Sequence, residues 1–341
     1  MIELKSDRLV VSFPEVHPDA ILTVEFQRTL RIPDDGRDYP LPPGLGRFPL
    51  SHIDDHSGAI PAGWLKRGGV LLPMYQSEAL WLRFTGHPVA SRQTDYPFAV
   101  KVATGKISAI TGEPWQNGLS RNPQNYLVTP TQPWLDGYCV EKGLIRQFVA
   151  MPLGDGYSVE EQMTGKAEFG GIQFEFFPMQ RTMLEKRFPV VLARTQQMFA
   201  AGICSGQAAP GAMGLAPGGR MRQEIYQDPW SIHDWDTRHA SRCFVHLVNS
   251  VHWRRFTGHA APATPVTAQH YSRAGLPWFD YYDADAKALR GSEVLSNLQS
   301  VGTIMDKDQG PSLPNNETVE TPSIINLAPR SRSQVREAAF D

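Results

Sequence analysis

Gly202-Ile-Cys204-Ser-Gly206 sets a cysteine between two glycines, each two positions away. Small residues at that spacing let a tight strand-to-helix elbow present a nucleophile. Asp234 or Asp236, and then His246, His252 or His270, follow in the acid-then-base order such a triad needs. A hydrolase built on Cys204, Asp236 and His246 is therefore one chemistry the sequence could support. Against it, Gln207-Ala-Ala-Pro-Gly-Ala-Met-Gly cannot make the long helix that supports such a nucleophile, and no run of βα units precedes it. A glycine-rich loop holding an ordinary cysteine is the simpler reading.

Two short clusters could hold a divalent metal. His233-Asp-Trp-Asp-Thr-Arg-His239 packs two imidazoles and two carboxylates together, and Ser51-His52-Ile-Asp54-Asp-His56 does the same. Zinc, iron and manganese take such nitrogen and oxygen donors. His52 and Asp54, completed by a distant His246, would suit a facial triad. In an extended segment, however, His233 and His239 face one way while Asp234 and Asp236 face the other. Solvated loop residues that cap turns or pair with Arg238 explain both clusters without a metal, and no cofactor is required by the sequence.

Pro217-Gly-Gly-Arg220-Met-Arg222 resembles an anion-binding turn backed by two arginines, although a plain glycine turn accounts for it too. No phosphate-loop motif and no paired-histidine metalloprotease motif occurs. Eight tryptophans, several beside proline as in Asp228-Pro-Trp230 and Leu276-Pro-Trp278, could form a flat recognition platform. Their alternative role is to plug the core beneath irregular loops.

The elements that must position these groups are mostly strands. Arg8-Leu-Val-Val-Ser-Phe, Ile21–Ile32, Ala79–Phe84, Phe98–Ala103, Tyr126–Val128, Leu144–Met151, Ile172–Phe177 and Arg242–Val248 carry strand patterning. Thr104-Gly-Lys predicts a tight turn into Ile107, and Ser158 three residues before Glu161 predicts a capped short helix. Helices are also expected after Thr267 and from Asp283 towards Leu298. With 29 glycines and 28 prolines spread along the chain, long helices have little room. The expectation is a β-rich α+β fold, with mixed or antiparallel sheets, few short helices and long Pro/Gly-rich loops such as Pro33–Gly63.

The chain has 341 residues with Lys+Arg 33 against Asp+Glu 35. Such a balance argues against nucleic acid as a partner. Apolar runs reach only about five residues, where a membrane span needs roughly 20. Three scattered cysteines make no disulfide framework, and the first residues lack a signal-peptide core. A cytoplasmic protein without a membrane span is expected. Residues 1–302 would form the globular region, with any internal boundary near 200–220, where Gly202–Gly219 reads as a mobile loop. Residues 303–341 would form a disordered tail, in which Ile324-Ile-Asn-Leu and Arg330-Ser-Arg-Ser have the look of docking strings.

Several long stretches, among them Arg31–Gly46, Arg67–Gln76, Gln132-Pro-Trp-Leu-Asp-Gly, Ile145–Gly154 and Ala274–Asp283, together resemble a family of uncharacterised, mostly bacterial proteins. The resemblance runs from about residue 25 to 302. Members are sometimes labelled integral membrane proteins, a label the hydropathy here contradicts. The resemblance carries no activity and assigns no residue a role. Since no catalytic constellation stands out from composition, the sequence favours a non-enzymatic binding or assembly protein, with a protein partner or a second copy recognised by loops and aromatic residues. The Cys204 hydrolase and the metal enzyme are the rivals.

Overall fold

The computed structural model describes residues 1–190, 211–283, 285–307 and 313–327. One large sheet dominates it. Its main strands are β1 (Ile2–Leu4), β2 (Arg8–Ser12), β3 (Ile21–Thr29), β4 (Val70–Met74), β5 (Ala79–Gly86), β6 (Phe98–Thr104) and β7 (Leu127–Thr129). They continue as β8 (Gly137–Glu141), β9 (Leu144–Pro152), β10 (Ile172–Pro178), β11 (Ala212–Arg222) and β12 (Ser241–Asn249). A small parallel pair, β13 (Trp278–Tyr281) and β14 (Ile324–Leu327), lies apart.

Neighbouring strands run β1-β2-β3-β5-β9-β11-β12-β10-β6-β7, every pairing antiparallel. Strand β4 adds to β12 in parallel. The α-helices are short: α1 (Ala62–Arg67), α2 (Val159–Thr164), α3 (Arg181–Arg187), α4 (Ser250–Thr257), α5 (Ala268–Arg273), α6 (Glu293–Ser296) and α7 (Val301–Lys307). The protein is thus a β-rich α+β fold. Among the described residues no helix is long and apolar enough to cross a membrane.

The alternation in β3 puts one face of the strand into the core. Leu22, Val24 and Phe26 are fully buried, and Phe26 meets Phe174 of β10 edge-on at 5.9 Å. These strands are not neighbours, so the sheet curls around one shared core. Burying each such ring contributes roughly 2–3 kcal/mol.

Three expectations are corrected. Ala212–Arg222, which takes in the last eight residues of the expected loop Gly202–Gly219, is a largely buried strand along the whole of β9, while residues 202–210 lie outside the described residues. Its glycines serve close approach. A Cβ at Gly219 would lie 2.2 Å from the Pro33 carbonyl oxygen, and one at Gly218 2.5 Å from Val149. Pro217 stands where the register shifts, the position a sheet tolerates for proline. Secondly, part of the expected tail 303–341, namely residues 303–307 of α7 and residues 313–327, packs against the fold, while residues 308–312 and 328–341 lie outside the described residues. Asn316 accepts the Asp34 N–H at 2.8 Å, and Ile324–Leu327 docks on the chain's own β13. A short apolar strip is enough to pair with a strand even within a polar stretch. Thirdly, the helix expected from Asp283 shortens to α6, capped by Ser292. Cys204 and Arg330 lie outside the described residues.

Candidate binding site

The outer faces of β6, β10 and β12 carry charge where the inner faces are apolar. Register sets Lys101 opposite Glu175 and Glu175 opposite Arg242. The Glu175 carboxylate accepts from Lys101 at 3.3 Å and from the Arg242 Nε at 2.7 Å. Lys101 is buried, and burial outweighs the attraction of Glu175, leaving its ammonium below the usual lysine range. Its ammonium also donates to the carbonyls of Gln116 and Gly118 and sits 4.3 Å from the Trp115 ring centroid. One buried cation therefore fixes the loop that carries Trp115 and Asn117.

The loop carrying Phe169 is fixed by an anion. Ser158 and Glu161 form the expected capping box at the start of α2. The next carboxylate, that of buried Glu160, accepts the backbone N–H groups of Glu168 (3.0 Å), Phe169 (2.8 Å) and Gly170 (2.7 Å). The expected turn after β6 is present, with Gly105 and Lys106 both at positive φ, the pair of conformations a type I′ hairpin needs. A Cβ at Gly105 would strike Glu160 at 2.4 Å, so only glycine fits beneath α2 here. The turn presents Lys106 beside Phe169, its ammonium 5.4 Å from the ring centroid.

Arg67, at the end of α1, lies over Phe169 at 4.8 Å and over Phe244 of β12 at 5.5 Å. Behind it, His246 is stacked between Phe244 (4.3 Å) and Trp64 (4.8 Å). Arg67, Lys106, Trp115, Phe169, Arg242 and Phe244 line a groove of about 280 Å³. Arg242 is neutralised by Glu175. Arg67 and Lys106 have no carboxylate partner among the described residues: the only protein acceptor Arg67 reaches is the Glu168 carbonyl, at 3.1 Å. Cys243 also lines the groove, and burial pushes its thiol up to about 12, so it is protonated at neutral pH and a poor nucleophile.

Comparison with family models, curated proteins and solved structures returns no match. Function must be argued from the residues in place.

The residues singled out by sequence are mostly dispersed. His246 is buried and neutral: burial pulls it down to about 4, Nε2 faces the Gly68 carbonyl at 3.1 Å, and Nδ1 has no partner among the described residues. Asp236 belongs to a different cluster. Burial pushes its carboxyl up, but hydrogen bonds from His239 and Arg238 outweigh this and hold it below the usual range. His233 is exposed, and Asp234 pairs with Arg187 at 2.9 Å. His52 and Asp54 are exposed, whereas His56 is buried against the Ser51 hydroxyl at 2.9 Å. Among the described residues no three His, Cys, Asp or Glu side chains converge as metal ligands.

The arginine and tryptophan candidates also have structural partners. Arg220 pairs with Asp38 and Glu141, and Arg222 forks onto Asp280. Trp278 is buried between Tyr39 and Tyr271, its indole N–H donated to Ser272. Trp230 packs between Phe188 and Trp235. Sequence reading missed Arg67, Lys106 and Phe169 as a group. The one legible signal was the turn that carries Lys106.

Proposed function

We propose that this is a binding protein whose groove docks an acidic segment of a partner protein. The observation that carries the reading is the pair Arg67 and Lys106, cations without a carboxylate partner that share the Phe169 ring. Unpaired cations at an aromatic wall attract an anion bearing a flat or apolar neighbour, and the field steers its approach. At about 280 Å³ the groove falls below the roughly 300–1,000 Å³ of pockets that enclose whole small ligands. It suits an anchoring acidic side chain with an adjacent ring or aliphatic stem. Buried Lys101 and Glu160 hold the two loops in place before the partner arrives, which lowers the entropy cost of association.

The test is native co-purification from the source cell, with the wild-type chain and with the Arg67→Glu/Lys106→Glu double variant, read by quantitative mass spectrometry. A stoichiometric partner held by the wild type, released by moderate salt and absent from the variant, is the expected result. A wild-type chain that emerges alone, or a partner retained equally by the variant, overturns the proposal.

A further inference from the structure

A second cleft, built from different elements, opens between residues 41–44, Trp81 of β5, Trp134 and the small sheet of β13 and β14. Its volume is about 340 Å³. The walls are apolar and aromatic: Pro42, Trp81, Trp134 and Phe279 among them. The two indoles stand 76° apart with centroids separated by 6.5 Å, so they present adjoining walls and not a flat platform. Trp134 is braced from behind by Tyr281 at 4.8 Å.

Among the residues lining this cleft, Asp136 is the one ionisable group. It is only 3 % exposed. Gln223 grips it twice: the Gln223 amide N–H₂ donates to Oδ2 at 2.6 Å, and the Asp136 backbone N–H donates to the Gln223 oxygen at 3.1 Å. The charged groups nearby are already matched, Arg222 to Asp280 and Arg83 to Glu25. Among the described residues no cation is paired with Asp136: burial pushes its carboxyl up to about 7, and the Gln223 bond is the one opposing influence.

An unpaired carboxylate in an apolar cleft is costly, and the group that relieves it is a cation. A metal ion or a primary ammonium is strongly hydrated and needs several oxygen ligands or acceptors, whereas this cleft supplies one carboxylate. Aromatic faces favour a cation that gives up its water cheaply. We propose that the cleft binds a small alkylated ammonium, its charge beside Asp136 and its alkyl groups against Trp81, Trp134 and Phe279. A neutral apolar occupant would fill the same space but leave the carboxylate unmatched.

Isothermal titration of the full chain at about pH 8, where Asp136 is ionised, separates the two. The probes are choline, benzyltrimethylammonium and the uncharged carbon isostere of choline. The expected result is a preference for choline over its isostere of roughly tenfold or more. Asp136→Asn, which keeps the side chain's shape and its bond to Gln223, should lower the choline affinity by a similar factor. Trp134→Leu should weaken both ammonium probes, and near-native far-UV circular dichroism would show that either variant is folded. Equal affinity for choline and its isostere overturns the proposal. So does undiminished choline binding by folded Asp136→Asn, or no heat with either ammonium at tens of millimolar.

Discussion

The carboxylate of Glu160 accepts the backbone N–H of Phe169 at 2.8 Å, in a cradle completed by the N–H groups of Glu168 and Gly170. A side chain on α2 thereby sets the position of a ring that two cations share. Glu160→Ala strands three donors at once and should cost roughly 3 kcal/mol or more of stability. Hydrogen exchange at residues 168–170 should accelerate more than in the sheet. Unchanged protection there would show that the loop holds itself.

Asp136 and His246 push stability in opposite directions over one pH window. For Asp136 the folded carboxyl titrates near 7 and the unfolded one near 4. The folded state binds the extra proton between those values, so its contribution to stability falls as pH rises from about 4 to about 7, by up to about 4 kcal/mol. Asp136→Asn should remove that fall. Urea midpoints of wild type and variant, compared at several pH values, should diverge upward through this window; parallel curves would refute the assignment.

For His246 the sign reverses. Its folded value is near 4 and its unfolded value near 6.5, so the unfolded chain binds the proton between them. Its contribution is complete above about pH 6.5 and lost as pH falls towards 4, by roughly 3 kcal/mol. His246→Phe keeps a flat ring between Phe244 and Trp64 but cannot take the proton. The variant should lose less stability than wild type between about pH 7 and pH 4.5. An equal loss in both would show that His246 is not the group responsible.

Gly219→Ala tests why β11 is rich in glycine. A Cβ there meets the Pro33 carbonyl at 2.2 Å, while a Cβ at Gly58 meets nothing within 4 Å. The Gly219 variant should lose several kcal/mol or fail to accumulate folded, whereas Gly58→Ala should stay within about 0.5 kcal/mol of wild type. Thermal melts of the two, made in parallel, decide the point; similar midpoints would mean that Ile32 and Pro33 move aside.

Some strands were legible because they are half-buried, and others, such as Phe98–Thr104 and Ile172–Pro178, because their buried runs are rich in β-branched and aromatic residues. The alternation in Arg8–Ser12 and Ile21–Thr29 reports a face in the core and a face outside, and the Ser158–Glu161 cap and the Gly105–Lys106 turn are local rules. Val70–Met74 and Ala212–Arg222 were missed for two different reasons. Val70–Met74 is buried along its whole length and so reads as a bare apolar run. Ala212–Arg222 is written in small residues because other backbone lies against it, and the same letters spell a loop.

The candidate sites were less legible for a different reason. Arg67, Lys106, Phe169 and Phe244 are far apart in sequence and meet through strand register and two buried anchors, neither of which shows in local spacing. The His/Asp clusters and the Cys204 elbow drew notice because they are local. Asp136 sat unremarked inside Gln132-Pro-Trp-Leu-Asp, since a single acid says nothing until the cleft around it is known.

The parallel partnership of β4 with β12 has a consequence for how the chain is made. Val70–Met74 pairs with Val245–Asn249, a partner translated well over a hundred residues later. Until that partner leaves the ribosome, five consecutive apolar side chains remain available to strangers, and such long-delayed pairing is slow and prone to aggregation. Pro73, which has no N–H to offer, interrupts the run and makes it a poorer template for a foreign strand. The residue that looks least suited to a strand protects the newborn chain while it waits.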